Sequence, residues 1–337
     1  MATAENAQIE YEGGQEFVDY EALTDSGNQI VFGSSEELWS RKSGKTSTVR
    51  PNGLVTGGVI TVDALAEKIN VAALTCYIGG ALKSISKADD EAVPRAATLD
   101  YIIHSVTVTA AGAIAIVSGT EGESFSTTRG AAGGPQWIPT GSIEVGQVRF
   151  TSGDSAVVAA SEIKQVVGTH VERYDFPLWE EDHISVAAGV LGSAGVSFYS
   201  SLPLVHSDDS GTTPAAKKVY AAFYTPEFVA LSKASDFVPP ETTHSVSSTQ
   251  IYGSTIGASS STLGQGSFTA YLNNGIDDPL VKEKNNILWF RFKSDRLADK
   301  YIYCQGTLGV SRTFGAADQI QAACTVSAEV EAVEVYA

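Results

Sequence analysis

The C-terminal segment alternates apolar and polar residues with a period of two, a pattern that few structures other than a β-strand accommodate. From residue 320 the apolar side chains share one parity and the polar ones the other: Ile320, Ala322, Cys324, Val326, Ala328 and Val330 against Gln321, Thr325, Ser327, Glu329 and Glu331. Because successive side chains of a strand point to opposite faces of its sheet, this pattern predicts a half-buried strand.

The alternation changes phase near its end, because Val333 and Val335 take the parity of Glu329 and Glu331. A slip of one residue moves every following side chain to the other face of the sheet. We therefore predict a bulge or a strand break near Glu331–Ala332.

The residues before this strand predict further strands and a short helix. Strands are indicated at Ser267–Leu272, Ile287–Lys293 and Tyr301–Thr307. Asp278 followed by Pro279 fits a helix start, since Asp accepts a hydrogen bond from a free N–H and Pro suits the first turn. The Ser/Thr/Gly-rich stretch from 245 to 267 has strand signals on both sides and predicts one long hairpin with a flexible tip.

Upstream, two more helix starts are predicted. One is the capping box that Ser34 forms with Glu37, and the other is Thr225-Pro226-Glu227. Residues 1–54 are otherwise acidic and polar, with one clear strand at Gln29–Phe32.

Residues 55–168 predict a separate β-sandwich module. Turn clusters rich in glycine separate its apolar runs, which is the spacing of a sandwich. The predicted strands are Gly58–Val62, Asn70–Ile78, Leu99–Thr109, Ala113–Ser118, Gly141–Thr151 and Glu162–Val167.

The charge and the cysteines narrow the function classes. The net charge of −17 argues against a surface that grips nucleic acid or an anionic membrane. Cys76, Cys304 and Cys324 are odd in number and far apart, which favours folding in a reducing cytosol. Neither a signal peptide nor an apolar run long enough to cross a bilayer is indicated.

Catalytic and metal-binding patterns are weak. The His/acid clusters at residues 180–183 and 206–210 lack a Gly-x-Ser-x-Gly elbow and metal-ligand spacing. Charged clusters between strands are more often solvated loops. We therefore expect no enzyme activity, no catalytic residues, no metal and no cofactor.

Three acids near the C-terminus, Glu329, Glu331 and Glu334, have no Lys or Arg after Arg312 to balance them. The phase slip would bring all three to one face. They either keep an edge strand from pairing or form a wall that repels a passing polyanion such as DNA. Periodicity alone does not separate these two interpretations.

The order of the C-terminal elements resembles the lambda-type tail tube fold of siphophages. The matching residues are Phe268–Leu272, the helix after Asp278, the Trp289-Phe290-Arg291-Phe292 strand, Gln305–Val310 and the terminal strand. The match spans roughly residues 215–337 and rests on element order. The sequence is most similar to the larger major tail proteins of long-tailed phages, such as those of the flagellum-seeking Chi-like group.

The resemblance implies a mainly β fold. It comprises a tail-tube β-sandwich or barrel domain with short helices, and an additional β-sandwich module. The implied domains are 1–54 (an acidic N-terminal arm and part of the tube region), 55–168 (a decoration-like module or a diverged tube domain) and 169–337 (the tube domain, with a long hairpin loop at about 253–266).

The resemblance also implies an assembly. Copies of the chain would form hexameric rings, or trimeric rings with pseudo-sixfold symmetry, that stack into a tube through N- or C-terminal arms and the long hairpin loop. The implied contact residues between rings are Gly253, Ser254, Thr255, Ile256, Gly257, Leu263 and Gly264. Glu329, Glu331 and Glu334 would face a lumen through which double-stranded DNA passes without specific binding.

The other implied partners are tail terminator and tail tip proteins, and a tape measure protein inside the lumen before ejection. The chain would be assembled in the host cytoplasm, without membrane contact, and reside in the virion tail. An alternative class is a receptor- or carbohydrate-binding β-sandwich of a phage fibre or adhesin, supported by Trp137, Trp179 and Trp289 as possible stacking residues. A β-rich hydrolase is the third interpretation.

Overall fold

The computed structural model describes residues 5–34, 36, 38–40, 42–165, 178–186, 194–204 and 217–336. The chain is mainly β, with 55% in strands and 3% in helices, arranged in several antiparallel sheets. The predicted mainly β class is therefore confirmed.

The strands of the described residues are short to medium in length. In chain order they are β1 (Gln8–Ala22), β2 (Thr24–Asp25), β3 (Val31–Gly33), β4 (Thr48–Pro51), β5 (Gly53–Gly57), β6 (Ile60–Val62), β7 (Lys68–Val71), β8 (Leu74–Ile78), β9 (Ala81–Ile85), β10 (Ala88–Ala92), β11 (Ile102–Val108), β12 (Ile114–Val117), β13 (Ile143–Phe150), β14 (Ile163–Gln165), β15 (Trp179–Val186), β16 (Ala194–Ser200), β17 (Val219–Ala230), β18 (Ala234–Val238), β19 (Thr242–Ile251), β20 (Ser254–Leu263), β21 (Gly266–Tyr271), β22 (Ile287–Lys293), β23 (Tyr301–Thr313), β24 (Gln321–Ser327) and β25 (Val333–Val335). The helices are 3₁₀ turns at Lys42–Gly44 and Ala160–Glu162 and the α-helix α1 (Pro279–Lys282).

The largest described sheet has nine strands in the order β18-β21-β24-β23-β22-β1-β17-β4, with β25 also paired to β23. A second sheet, β15-β16-β3-β2, packs through Phe32 and Phe198 against the β17 residue Phe223. Strands β19 and β20 pair only with each other among the described strands.

Strand β1 is central to the largest sheet, between β22 and β17. Ile9 and Tyr11 enter one apolar core, whereas Glu10 is buried on the other face and forms an ion pair with Arg291. This strand was not predicted. Its acids make the sequence look solvent-exposed, and the partner that neutralises Glu10 lies far away in the chain.

The C-terminal elements agree with the predicted ones. Strand β22 has the predicted bounds, β21 is displaced by one residue, and β23 continues to Thr313. Asp278 caps α1 as predicted, since its Oδ1 accepts the Leu280 N–H at 3.3 Å.

The predicted interruption of the terminal strand is confirmed, and it separates β24 from β25. Ser327 still pairs with β23, and pairing resumes at Val333. Residues 328–332 therefore face only residues 304–306, which makes a wide bulge.

The change of apolar phase reflects a change of buried face and not a one-residue slip. The two extra residues of the bulge preserve the alternation of side chains, so Val335 lies on the sheet face opposite to Val326. Val335 is buried with Trp289 and Tyr303, whereas Val326 enters the core of the other face. The buried face changes along the segment, so no one-residue flip of the strand is needed.

The strands between residues 53 and 165 have a hydrophobic core of their own, which runs from Leu54 to Val158. They form the sheets β5-β8-β9, β10-β7-β6 and β12-β11-β13-β14. The predicted strand Asn70–Ile78 is two strands, β7 and β8. Strands β9 and β10 were not predicted because their residues are mostly exposed and lack an apolar face.

The predicted helix at Thr225-Pro226-Glu227 is wrong, because these residues belong to β17. They pair with β1, and tertiary pairing overrides local helix signals. Pro226 is tolerated because β4 covers only the first residues of β17, which leaves that edge unpaired at Pro226.

The predicted helix after Ser34 is not observed in the described residues either; Glu37 lies outside them. Leu38 and Trp39 are fully buried in an irregular segment. The Ser34 hydroxyl accepts the Glu36 N–H at 3.0 Å and also contacts Glu21.

The irregular segment is held by a buried carboxylate, Glu12, located at a bulge of β1. Its Oε2 accepts the Trp289 N–H at 3.2 Å, and its Oε1 accepts from the Ser40 hydroxyl and from the Gln15 amide at 3.2 Å. Burial raises the pKa of Glu12, although these hydrogen bonds oppose the shift.

The raised pKa predicts that Glu12→Gln stabilises the protein at neutral pH. A carboxyl whose folded-state pKa exceeds its unfolded value contributes stability at low pH that is lost as the pH rises through the folded pKa. The variant removes this loss, and its amide can donate to Ser40 while its oxygen accepts from Trp289. The bond from the Gln15 amide is lost, but that amide also donates to the Lys42 carbonyl at 2.9 Å. Urea titrations should show a higher midpoint for the variant at pH 7 and equal midpoints below pH about 4. A variant that is less stable at pH 7 would contradict the prediction.

Candidate assembly surface

The most prominent exposed feature is the hairpin formed by β19 and β20. Its strands pair without interruption from Thr242↔Leu263 to Ile251↔Ser254. Tyr252 and Gly253 form the two-residue turn, with Gly253 at a φ of 83°. A hairpin is present in the predicted stretch, but it is formed by β19 and β20, two strands of ten residues each around a tight turn, and not by the flanking strand signals around a flexible loop at 253–266.

The hairpin exposes both of its faces. Thr242 and Leu263 at the base are half-buried, whereas residues 243–254 and 256–262 are exposed, with Val246 80% and Ile256 55% accessible. Between 242 and 263 there is no Lys, Arg, Asp or Glu. An isolated two-stranded hairpin is marginally stable in water, so packing against another surface would stabilise this one.

The apolar side chains are divided between the two faces of the hairpin. Val246 pairs with Ser259 and Ile256 with Thr249, so Val246 and Ile256 point to opposite sides. A partner that covers only one face therefore buries only one of them.

The base of the hairpin is fixed to the bulge of the terminal strand. The Ala332 N–H donates to the Pro240 carbonyl at 2.9 Å, and the Thr242 N–H donates to Glu331 Oε1 at 3.2 Å. Gln265 Nε2 donates to the Ser327 hydroxyl at 2.8 Å. These hydrogen bonds attach the hairpin base to the largest sheet.

The predicted contact residues occupy distinct parts of this hairpin. Gly253 is in the turn, residues 254–257 begin β20, and Leu263 ends it. The Gly264 N–H donates to the Glu241 carbonyl at 2.9 Å and closes the base. The predicted contact residues omit β19, including Val246, and the turn residue Tyr252. The sequence signal that could have indicated them is the presence of isolated apolar residues within a Ser/Thr-rich stretch.

The three C-terminal acids are exposed but do not form one cluster. Glu329 and Glu331 line a cavity of about 500 Å³ together with Asp182 of β15. Glu334 lines a separate recess of about 220 Å³ that also contains Lys300. Only two of the three acids are therefore brought together within one chain.

The residues considered for sugar stacking or catalysis are poorer candidates for a functional site than the hairpin. Trp289 is completely buried, and its Nε1 donates to the Trp39 carbonyl at 2.6 Å, so its ring is closed to ligands. Trp179 is half-buried against Phe32. The 206–210 cluster lies outside the described residues.

His104 is a buried structural histidine. Its Nε2 lies 2.8 Å from the Pro94 carbonyl, and burial lowers its pKa. In the part of the chain that the structure describes, there is no group of three or more His, Cys, Asp or Glu side chains arranged to hold a metal ion. Its helices are all too short to cross a membrane.

The described residues therefore form an exposed hairpin without acidic or basic side chains, whose base is hydrogen-bonded to the bulge of the terminal strand. A cavity lined by acidic residues lies next to that bulge. Comparisons with known protein families, with curated proteins and with solved structures give no match for this chain.

Proposed function

We propose that this protein is a structural subunit that assembles with copies of itself into stacked rings, forming the tail tube of a long-tailed phage. The observation that carries the proposal is the β19–β20 hairpin, which exposes apolar side chains on both faces and lacks charge. Such a surface is unfavourable in an isolated monomer and favourable in an assembly.

The edges of the largest sheet support the same proposal. Its outer strands, β18 and β4, each have one side unpaired with any described strand. Exposed edges invite pairing with another chain, and closing sheets from several subunits into a barrel removes them. A ring of six copies, or of three copies with pseudo-sixfold symmetry, would place such edges next to one another.

In this proposal the tube conducts DNA and does not bind it. A net charge of −17 per chain disfavours tight contact with phosphates, which would stall transit. The protein is then a non-enzymatic component of the virion tail, assembled in the host cytoplasm. The proposed partners are a tape measure protein inside the lumen and terminator and tip proteins at the ends of the tube.

Sedimentation velocity over a range of concentrations tests the assembly. We expect the purified chain to convert cooperatively from a slow species to large particles as its concentration rises. A single monomeric species at every concentration, including in salts that strengthen apolar association, would contradict the proposal.

Charge reversal tests the proposed lumen. Replacing Glu329 and Glu334 by Lys should permit assembly, because both side chains are exposed and neither bonds to the hairpin base, yet slow DNA ejection from virions that carry the variant. Glu331 is left unchanged because its Oε1 accepts the Thr242 N–H at the hairpin base. Tubes of the variant should also retain linear double-stranded DNA during sedimentation at low salt, whereas wild-type tubes should not. Unchanged ejection and no retained DNA would count against these acids lining the channel.

A further inference from the structure

The C-terminal part of the largest sheet has two chemically distinct ends. Strands β21 and β24 are antiparallel, with Gly266 beside Val326 at one end and Tyr271 beside Gln321 at the other. The hairpin leaves from the Gly266 end. The loops 272–278 and 314–320 both leave from the opposite end.

An exposed apolar patch, formed by Ile276 and Phe314, lies at the end away from the hairpin. Ile276 is 72% and Phe314 57% accessible. Gly275, in the same loop as Ile276, has a positive φ of 72° and faces the loop that carries Phe314. A Cβ at Gly275 would come within 2.9 Å of both Phe314 and Ile320, so the two loops are in tight contact.

The patch is held in place by a cation and by the backbone. Arg312 Nη1 donates to the Gly275 carbonyl at 2.6 Å, and its guanidinium lies 6.0 Å from the centre of the Phe314 ring. The Leu272 N–H donates to the Ile320 carbonyl at 2.9 Å. The exposed side chains of Ile276 and Phe314 therefore belong to a fixed surface, ready for contact without rearrangement.

We infer that the Ile276/Phe314 patch of one copy receives the hairpin of the next copy along the tube. This inference rests on the proposed function and names the acceptor surface for the hairpin. Donor and acceptor lie at opposite ends of the same sheet, so the contact is heterologous and is repeated by every added layer. A hairpin packed against another hairpin would be isologous, would use up the donor surface in pairs, and would leave the patch exposed.

The chemistry of the two surfaces matches. The hairpin contributes Val246, Tyr252 and Ile256 without an acidic or basic side chain to desolvate. The patch presents an aliphatic and an aromatic side chain, while Arg312, which lies beside the Phe314 ring, is already bonded within its own chain. The charges next to Ile276 are those of the exposed Asp277–Lys282 ion pair, which neutralise each other at the edge of the patch. Association therefore buries apolar area without leaving an unpaired charge at the contact.

Cross-linking of assembled protein tests the contact. Tyr252→Cys and Ile276→Cys are introduced together, and tubes are treated with a short bis-maleimide before denaturing electrophoresis. The native thiols should not react with the maleimide, because they are buried. Burial raises the pKa of Cys76 to about 11 and of Cys304 and Cys324 to about 12. We expect a ladder of covalent multimers from the double variant, and little beyond monomer from either single variant.

A second variant keeps the test independent of cross-linking geometry. Phe314→Asp should lower the amount of pelleted tube at least tenfold, whereas Leu297→Asp, an equally polar change at an exposed site in the β22–β23 loop, should not. Wild-type tubes with no ladder, together with equal assembly of both Asp variants, would overturn the inference while leaving the tube function intact. A wild-type chain that never forms tubes would instead refute the proposed function.

Discussion

Replacing residues 243–262 by an Asn-Gly turn should abolish tube formation and leave the protein folded. Thr242 and Leu263 are a facing pair at the hairpin base, so a two-residue turn can join them. Residues 243–254 and 256–262 are exposed, and none of the removed residues belongs to the described hydrophobic cores. We expect the free energy of unfolding to change by less than about 0.5 kcal/mol in urea titrations. Sedimentation should detect only unassembled protein.

Two point variants resolve which face of the hairpin is used. Val246→Ser and Ile256→Ser remove apolar side chains from opposite faces. If one face packs against the neighbouring copy, one variant should impair assembly far more than the other.

Tubes of normal yield from the deletion variant would contradict a role for the hairpin in assembly.

Arg129→Met should destabilise the 53–165 unit by about 3–5 kcal/mol, because it leaves a buried carboxylate without its cation. Arg129 forms an ion pair with Glu144, and the two side chains are only 5% and 1% accessible. The guanidinium also donates to the Gln136 carbonyl at 2.9 Å and to the Ser105 hydroxyl at 3.3 Å. It thereby holds the long connection between β12 and β13 against the sheet.

The matched control is Lys87→Met, which breaks an exposed ion pair with Asp89 in the same unit. Exposed pairs contribute about 0–1 kcal/mol, so this variant should unfold almost like the wild type. Adding Glu144→Gln to Arg129→Met should recover part of the lost stability, because no unpaired charge then remains. Urea titration of all three proteins measures these differences, and equal losses for Arg129→Met and Lys87→Met would contradict the account.

Local sequence signals predicted the elements whose own residues carry a clear pattern. Strands β21 to β24 follow from alternation, and α1 follows from Asp278 and Pro279, since both signals depend on neighbouring residues alone. Strand β1 did not follow. Its buried acids are satisfied by Arg291 and by the Trp289 backbone, which only the folded chain brings near. Similarly, pairing with β1 converts the Pro226 segment from a predicted helix into a strand.

The candidate surface was predictable only in part. The hairpin followed from Ser/Thr content between strand signals, although its length did not. The grouping of Glu329 and Glu331 away from Glu334 depends on the bulge at 328–332, whose width is set by pairing with β23. The Ile276/Phe314 patch joins loops separated by more than thirty residues, so no local pattern indicates it.

Electron microscopy of the purified full-length chain at high concentration, followed by helical reconstruction, tests the central claim most directly. The account predicts hollow tubes of stacked rings, each ring built from six copies or from three with pseudo-sixfold symmetry, with the β19–β20 hairpin bridging successive rings. Monodisperse single particles, or solid filaments without a channel, would contradict it.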